Sequence, residues 1–375
     1  MRYGEAGQSH LLPFLGAAAL FAALTITAHS VVLGLAAVIA GPVPAAQTAL
    51  SLSRKAVSGA AQEEAASMTE AAPESTGTAA SLPEAAAPTG GIESYLVELL
   101  GDDARPEGAG AVIEKNYPQG SGEKYVACGA GSIKNNTRQT AADIAAEIQE
   151  PLPFGVEKDS PDPQILIMHT HATESFEPYD SEIYDTRHTW RSTDNSENIV
   201  AAGEVMAQAI RAHGIEVLHD DTQHDYPSYN GSYERSAETV KGYLAKYPSI
   251  KVVLDVHRDA VQRDSTLVKP ITQINGKKAA QMMIIAGCDD GTMEMPNWGK
   301  NLRFAAGIQD AIESRWKGLT RPIFFCYRKY NQDLTTGSLL LELGSHGNTL
   351  EQVLTTAQLA GDAIGNYLAQ ECMAE

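Results

Sequence analysis

The chain has 375 residues, with 28 Lys and Arg against 47 Asp and Glu and a formal net charge of −19 at pH 7. No basic block rises above that background, which argues against nucleic-acid binding and against long-range Coulombic capture of an anionic polymer. The 4 cysteines (Cys128, Cys288, Cys326 and Cys372) contain no Cys-x-x-Cys pair, which excludes a cysteine zinc knuckle and requires no disulfide framework.

Between Leu11 and Ser53 the only side chain able to carry a charge is His29, and residues 11–28 and 31–40 are apolar apart from Thr25 and Thr27. A helix of that length spans about 30 Å of hydrocarbon. Residues 1–46 therefore read as a short cytoplasmic stub and a transmembrane anchor, with a cleavable signal ending near Val43-Pro44-Ala45-Ala46 as the alternative. Arg2 on one side against Arg54 and Lys55 on the other encodes orientation only weakly. Residues 47–91 are mostly Ala, Ser, Thr, Pro, Glu and Gly. Such a segment buries too little apolar surface to offset its ordering entropy and reads as a flexible linker.

Ordered patterning starts near Ile92 with a short helix over 94–100. Residues 92–160 read as a small pre-domain with a strand at 125–128 and a segment at 143–150 closed by Pro151 and Pro153. From residue 161 onward the pattern is α/β. A continuous apolar strand at 165–168 precedes a helix at 198–213, whose Ile199, Val200, Val205, Met206, Ala209 and Ile210 recur at helical spacing before Gly214. Then come a strand at 216–218, a helix at 232–247, strands at 251–256 and 282–286, and a helix at 297–316. Strands at 323–326 and 339–343 and a closing helix at 350–369 complete the chain. Cys288 and Cys326 sit in apolar runs and read as buried free thiols, with a mutual bridge as the alternative. This alternation predicts a mostly parallel sheet flanked by helices over 161–375, with its site at the carboxyl ends of the strands.

The strand at 165–168 runs into His169-Thr170-His171-Ala172-Thr173-Glu174, the strand at 251–256 into His257-Arg258-Asp259, and the strand at 339–343 carries Glu342. Zinc takes neutral imidazole and carboxylate in tetrahedral geometry, and hydrolytic sites leave one position for water. A separate glutamate then takes the water's proton. A lone strand-end histidine is usually a hydrogen-bonded structural group, and His-x-His alone is weak. Coincidence at three strand ends of one sheet favours a metal hydrolase.

Longer motifs sharpen this reading. They are His169-Thr170-His171 with Glu174; Arg191 and Asp194-x-x-x-Asn198-Ile199-Val200-x-x-Gly203; and His219-Asp220-x-Thr222-x-His224-Asp225-Tyr226-Pro227-x-Tyr229-Asn230-Gly231-Ser232-Tyr233. Asp255-Val256-His257-Arg258-Asp259-Ala260, Tyr330-Asn331-Gln332 and Glu342-x-Gly344-x-x-x-Asn348-Thr349 follow, with Ile133-Lys134-Asn135-Asn136-Thr137 upstream. In these motifs the chain resembles the stage II sporulation protein P family. That family is similar to the broader zinc N-acetylmuramoyl-L-alanine amidases. The resemblance implies a Zn2+ cofactor held by His171, Asp194 and His257, and Glu342 as the catalytic residue. At the acidic ligand the sequence departs from the broader family, which uses a longer glutamate. Glu174, in a His-x-x-Glu spacing known from zinc carboxypeptidases, competes with Asp194, and Glu197 is a third choice. His169 is the alternate to His171. Arg258, Tyr229, Asn230 and Asn348 are candidate substrate contacts, as is Tyr330. A salt bridge from Arg258 to Asp255 or Asp259 is the structural alternative for that residue.

The resemblance further implies hydrolysis of the amide between N-acetylmuramic acid and L-alanine of peptidoglycan, in septal remodelling and engulfment during sporulation. It implies a single-pass membrane protein with its catalytic domain between mother cell and forespore membranes, and partnership with stage II sporulation proteins D and M. A zinc peptidase acting on stem peptides and a non-catalytic wall-binding scaffold are the rival readings.

Overall fold

The computed structural model describes residues 108–371. The expected anchor, linker and helix at 94–100 lie outside the described residues. Among the described residues no helix is long and apolar enough to cross a membrane.

In chain order the first half comprises β1 (Ala109–Lys115), β2 (Tyr125–Cys128), β3 (Gly131–Asn136), α1 (Ala141–Glu147), β4 (Ile165–Met168), β5 (Ile183–Asp185), α2 (Ile199–Arg211), β6 (Val217–His219) and α3 (Ser232–Lys246). The second half comprises β7 (Val252–Asp259), β8 (Gln262–Arg263), β9 (Thr266–Ile274), β10 (Lys277–Ala280), β11 (Met282–Gly287), α4 (Trp298–Arg315), β12 (Ile323–Cys326), β13 (Gly337–Ser345) and α5 (Leu350–Glu371). The fold is mixed α/β. Its larger sheet has the order β2-β3-β12-β11-β13-β7-β4-β6. All neighbours in it are parallel except β2 with β3 and β11 with β13.

The central strands read as unbroken apolar runs because both faces of the sheet are covered. Ile165, Ile167 and Leu254 point to the side where Ile199, Met206 and Ile210 of α2 pack. Leu166, Met168 and Val253 point to the other side, against Val240 of α3. Alternation at period two thus feeds two cores from one strand. Ile165, Leu166 and Ile167 are all 0% exposed, and burial of each contributes about 1.5–3 kcal/mol. Helix α2 starts where Asn198, in extended conformation, accepts a hydrogen bond from the Val200 amide. Cys128, Cys288 and Cys326 are free and buried, in keeping with the thiol reading.

A second sheet, of order β10-β9-β1-β5 with β8 on β9, was not anticipated. Its longest strand, β9, carries Lys269 and Pro270 at its centre, a pattern that resembles a loop. In the structure Lys269 is 2% exposed and is neutralised by Glu114 at 3.2 Å and by Asp180. The pre-domain expected over 92–160 is also corrected. β1 pairs with β9 and β3 pairs with β12, so this segment supplies strands to both sheets. Apolar residues such as Ile133, 0% exposed, belong to the main core and not to a core of their own.

Candidate active site

β4, β7 and β13 lie side by side and parallel, so their carboxyl ends meet along one sheet edge. The register sets Met168 beside Asp255 and Glu342 beside His257. After Glu342 the β13–β7 ladder is irregular up to Ser345, and Gly344 adopts φ +68° there. A Cβ at Gly344 would stand 2.7 Å from the Ala280 Cβ, so both the turn and the close approach call for glycine.

His257 is buried between two carboxylates. Its Nδ1 lies 3.6 Å from Glu174 Oε2 and its Nε2 lies 2.7 Å from Asp255 Oδ1. The shorter approach lacks hydrogen-bond alignment, and Nε2 has no hydrogen-bond partner among the described residues. Burial opposes a charge on this ring, but Asp255 and Glu174 prevail and hold its pKa well above the ordinary value. Asp255 is itself fixed by the Thr170 amide at 2.8 Å and the Thr170 hydroxyl at 2.7 Å.

His171 meets His257 edge-on with ring centroids 5.3 Å apart, and Tyr229 stacks on it at 4.5 Å. Its Nδ1 lies 3.4 Å from Ser232 Oγ and 4.0 Å from Asp225 Oδ2. Burial and the neighbouring His257 lower its pKa to about 4, which leaves the neutral imidazole that metals bind. Glu174 accepts a hydrogen bond from the Arg258 amide at 3.0 Å. Burial works against its ionisation, yet Arg258 and His257 outweigh it and hold the carboxyl well below the usual range. Glu342 is the opposite case. Burial, reinforced by Asp259, raises its pKa to about 8, and its enclosed Oε2 has no hydrogen-bond partner among the described residues. Two glutamates at one edge thus differ in proton affinity, as acid–base work requires.

The structure does not bring every expected residue here. Asp194 is exposed and turned onto its own loop, accepting from the Ser196 amide at 2.9 Å and hydroxyl at 2.6 Å. Backbone bridges Glu174–Arg191 and Ser175–Asn198 close residues 192–197 into a surface loop. That places Glu174, not Asp194, against His257. Glu197 is on the same loop, with Ser192 donating to it at 3.3 Å. His169 is occupied at both nitrogens, by the Val256 carbonyl at 2.8 Å and by His219 Nε2 at 2.9 Å. Gly203 of α2 makes room for that pair, since a Cβ there would stand 2.4 Å from His169 Nε2.

Arg258 pairs with neither Asp255 nor Asp259. Its Nε donates to Ser175 O and its Nη2 to Trp190 O, both at 3.1 Å, so it clamps the loop that carries Glu174. Asn348 is also inward, accepting from the Ser345 amide at 2.9 Å and donating to Pro270 O at 3.1 Å. It shapes the turn after β13 instead of facing the edge. Tyr229, 56% exposed, flanks the site, whereas the Asn230 carbonyl is held by Arg235. Tyr330 stacks on Tyr233 at 5.3 Å, and Tyr233 meets the edge of His171. Asp225 and Asp255 were not foreseen as carboxylates facing the two histidines. Asp255 had a signal, since it stands two residues before His257 and so shares its face of the strand.

Among the described residues, no three His, Cys, Asp or Glu side chains stand ready as a closed metal site. His171, Glu174 and His257 instead meet in pairs. The donor set nevertheless suits a divalent cation. Glu174 and Asp255 flank His257 with negative charge and His171 stands edge-on to it, and imidazole and carboxylate are the donors that zinc takes.

A family model described as Stage II sporulation protein P (SpoIIP) matches residues 111–365. Stage II sporulation protein P of Bacillus subtilis (strain 168) is 28% identical over 212 residues, covering 53% of this chain and 49% of that protein. The chain thus spans about half the length of this curated relative. Among solved structures, the N-acetylmuramoyl-L-alanine amidase AmiC2 of Nostoc punctiforme is 13% identical with TM-score 0.33, covering 56% of this chain and 96% of that one. The CwlD amidase of Clostridioides difficile, in complex with the GerS lipoprotein, is 12% identical with TM-score 0.33, covering 55% and 95%. A metallo-carboxypeptidase of Burkholderia cenocepacia is 8% identical with TM-score 0.31, covering 63% and 70%. Likenesses at these TM-scores carry no weight for the chemistry of this chain. The family match extends over more than half of the sequence and takes in every strand end described above, and the chain belongs to the stage II sporulation protein P family.

Proposed function

We propose that this chain is a zinc-dependent peptidoglycan hydrolase that cleaves the amide between N-acetylmuramic acid and L-alanine of the stem peptide during sporulation. The observation that carries the reading is the pairing of Glu342, with its unpartnered carboxyl oxygen, beside His257 on the edge that also holds Glu174 and His171. Family membership supplies the sporulation context. His171, Glu174 and His257 would hold the metal, with Glu174 in place of the Asp194 expected from sequence. A zinc ion held there would supply Lewis-acid chemistry, polarising the substrate carbonyl and lowering the pKa of water to about 7. Glu342, set beside His257 on the same edge, would in its ionised form take the water's proton and pass it to the departing alanine nitrogen. Arg258 keeps Glu174 ionised and in place through its amide hydrogen bond and its charge.

Hydrolysis of a peptide bond within the stem is the second reading. It is favoured by the position of Glu174, whose His-x-x-Glu spacing from His171 is that of zinc carboxypeptidases. Mass spectrometry of purified wall digested by the protein separates the two. New L-alanine amino termini together with free muramic lactyl groups support the amidase. New termini inside the stem support the peptidase, and an undigested wall refutes both. In the cell we place the protein on the outer side of a membrane, working with stage II sporulation proteins D and M.

A further inference from the structure

We propose that Arg191 is the substrate-binding cation of this site and reads a free carboxylate on the peptide side of the scissile bond, an inference that rests on the wall-hydrolase reading above. Three arginines near the site, Arg258, Arg321 and Arg191, differ in what they have left to offer. Arg258 is buried and donates to Ser175 O and Trp190 O while facing Glu174. Arg321, its side chain 7% exposed, pairs with Asp259 at 2.8 Å and has its Nε and Nη2, unpartnered among the described residues, sealed from solvent. The side chain of Arg191 is 35% exposed.

The free part of Arg191 is defined. Its Nη1 donates to Asp225 Oδ2 at 2.8 Å and to Thr173 Oγ1 at 3.3 Å. Nη2 stops 3.8 Å from Glu174 Oε1, beyond hydrogen-bond range. Asp225 therefore anchors one edge of the guanidinium and leaves the Nε–Nη2 edge, the fork that takes a carboxylate through two parallel N–H···O bonds. This edge is next to the chemistry. The guanidinium lies 5.3 Å over the Tyr229 ring, which stacks on His171. The nearby negative charges are already balanced, Asp225 by Arg191 itself and Glu174 by Arg258 and His257. A chain of net charge −19 cannot gather an anion through its overall field. A fixed local fork is how such a chain would hold an anionic stem peptide.

The test uses the full chain loaded with zinc and two synthetic muropeptides that differ only in a free carboxylate or its primary amide near the scissile bond. A charge-assisted pair is expected to favour the carboxylate by about 10- to 100-fold in kcat/KM, chiefly through KM. Arg191→Gln should bring that ratio close to one, and Arg191→Lys should keep part of it. Any general damage to the site lowers both rates together and leaves the ratio unchanged. Calorimetric binding of the same two peptides to Glu342→Gln protein, with and without the Arg191 substitutions, reads the ratio without turnover. A parent that does not discriminate, or an Arg191→Gln variant with the parent's ratio, overturns the proposal. A parent that discriminates in binding but cleaves neither peptide counts against the hydrolase reading alone.

Discussion

Replacing Glu342 with glutamine separates chemistry from stability. The carboxyl ordinarily ionises at 4.5, and burial beside Asp259 raises that to about 8. Above pH 4.5 the unfolded chain gives up this proton while the folded chain keeps it, so stability falls as pH rises through the window from 4.5 to about 8. At pH 7, with about 1.4 kcal/mol for each pH step, the penalty on the fold is about 3 kcal/mol. Glutamine keeps the shape and carries no proton to lose. In metal-depleted protein, Glu342→Gln is therefore expected to be more stable than the parent by about 1–3 kcal/mol at pH 7, the lower figure allowing for burial of the amide. At pH 4 the advantage should be gone, leaving the variant no more stable than the parent. Urea unfolding at the two pH values reads it directly. In the zinc-loaded protein the same substitution removes the proton carrier, and turnover of purified wall should drop by about 10²–10⁴-fold with zinc content unchanged. Near-parent turnover refutes the catalytic role. A stability difference of equal size at pH 4 and pH 7 refutes the account of the buried carboxyl.

Elemental analysis should find zinc lost from His257→Ala and Glu174→Ala but retained by Asp194→Ala; loss from Asp194→Ala with retention in Glu174→Ala would return the ligand to the 192–197 loop. Arg258→Met leaves the Ser175 carbonyl without its side-chain donor and removes one buried positive charge from beside Glu174, and should destabilise the fold by about 2–4 kcal/mol in denaturant titration. A change under about 0.5 kcal/mol, the range of neutral surface substitutions, would show that the clamp contributes nothing. Asp180, lowered to about 2 by its hydrogen bonds to Lys269 and Lys278, adds stability that is present above its unfolded pKa of about 4 and lost as pH falls towards 2. Asp180→Asn should therefore lower the melting temperature at pH 7 and flatten the acid limb of the stability profile. An unchanged acid limb would mean that other carboxylates dominate it.

The main sheet and its helices could be read from the sequence because their signals are local. β4 and β7 are buried on both faces and so are continuous apolar runs, α2 declares itself by helical spacing and the Asn198 cap, and a parallel sheet places its polar residues at strand ends. That rule singled out His171, His257 and Glu342, which the structure sets along one sheet edge. The second sheet escaped it. β9 holds a lysine that is tolerable only because Glu114 and Asp180 approach from distant positions in the chain, and no local pattern records such compensation.

The hydrophobic period of strands and helices was determined by the sequence alone, whereas the order of strands in each sheet came from the structure. The tertiary structure decided which side chains face one another beyond the strand ends. Whether Glu174 or Asp194 stands against His257 depends on the backbone bridges that fold residues 192–197 outward. Whether Arg258 binds substrate or clamps a loop depends on the carbonyls of Ser175 and Trp190 that reach it. The free fork of Arg191 exists because Asp225, 34 residues further along the chain, holds the other edge. Periodicity reports what a residue does within its own strand or helix; the partner of a charged side chain is set by contacts between distant segments, which form only when the sheet and its loops close together.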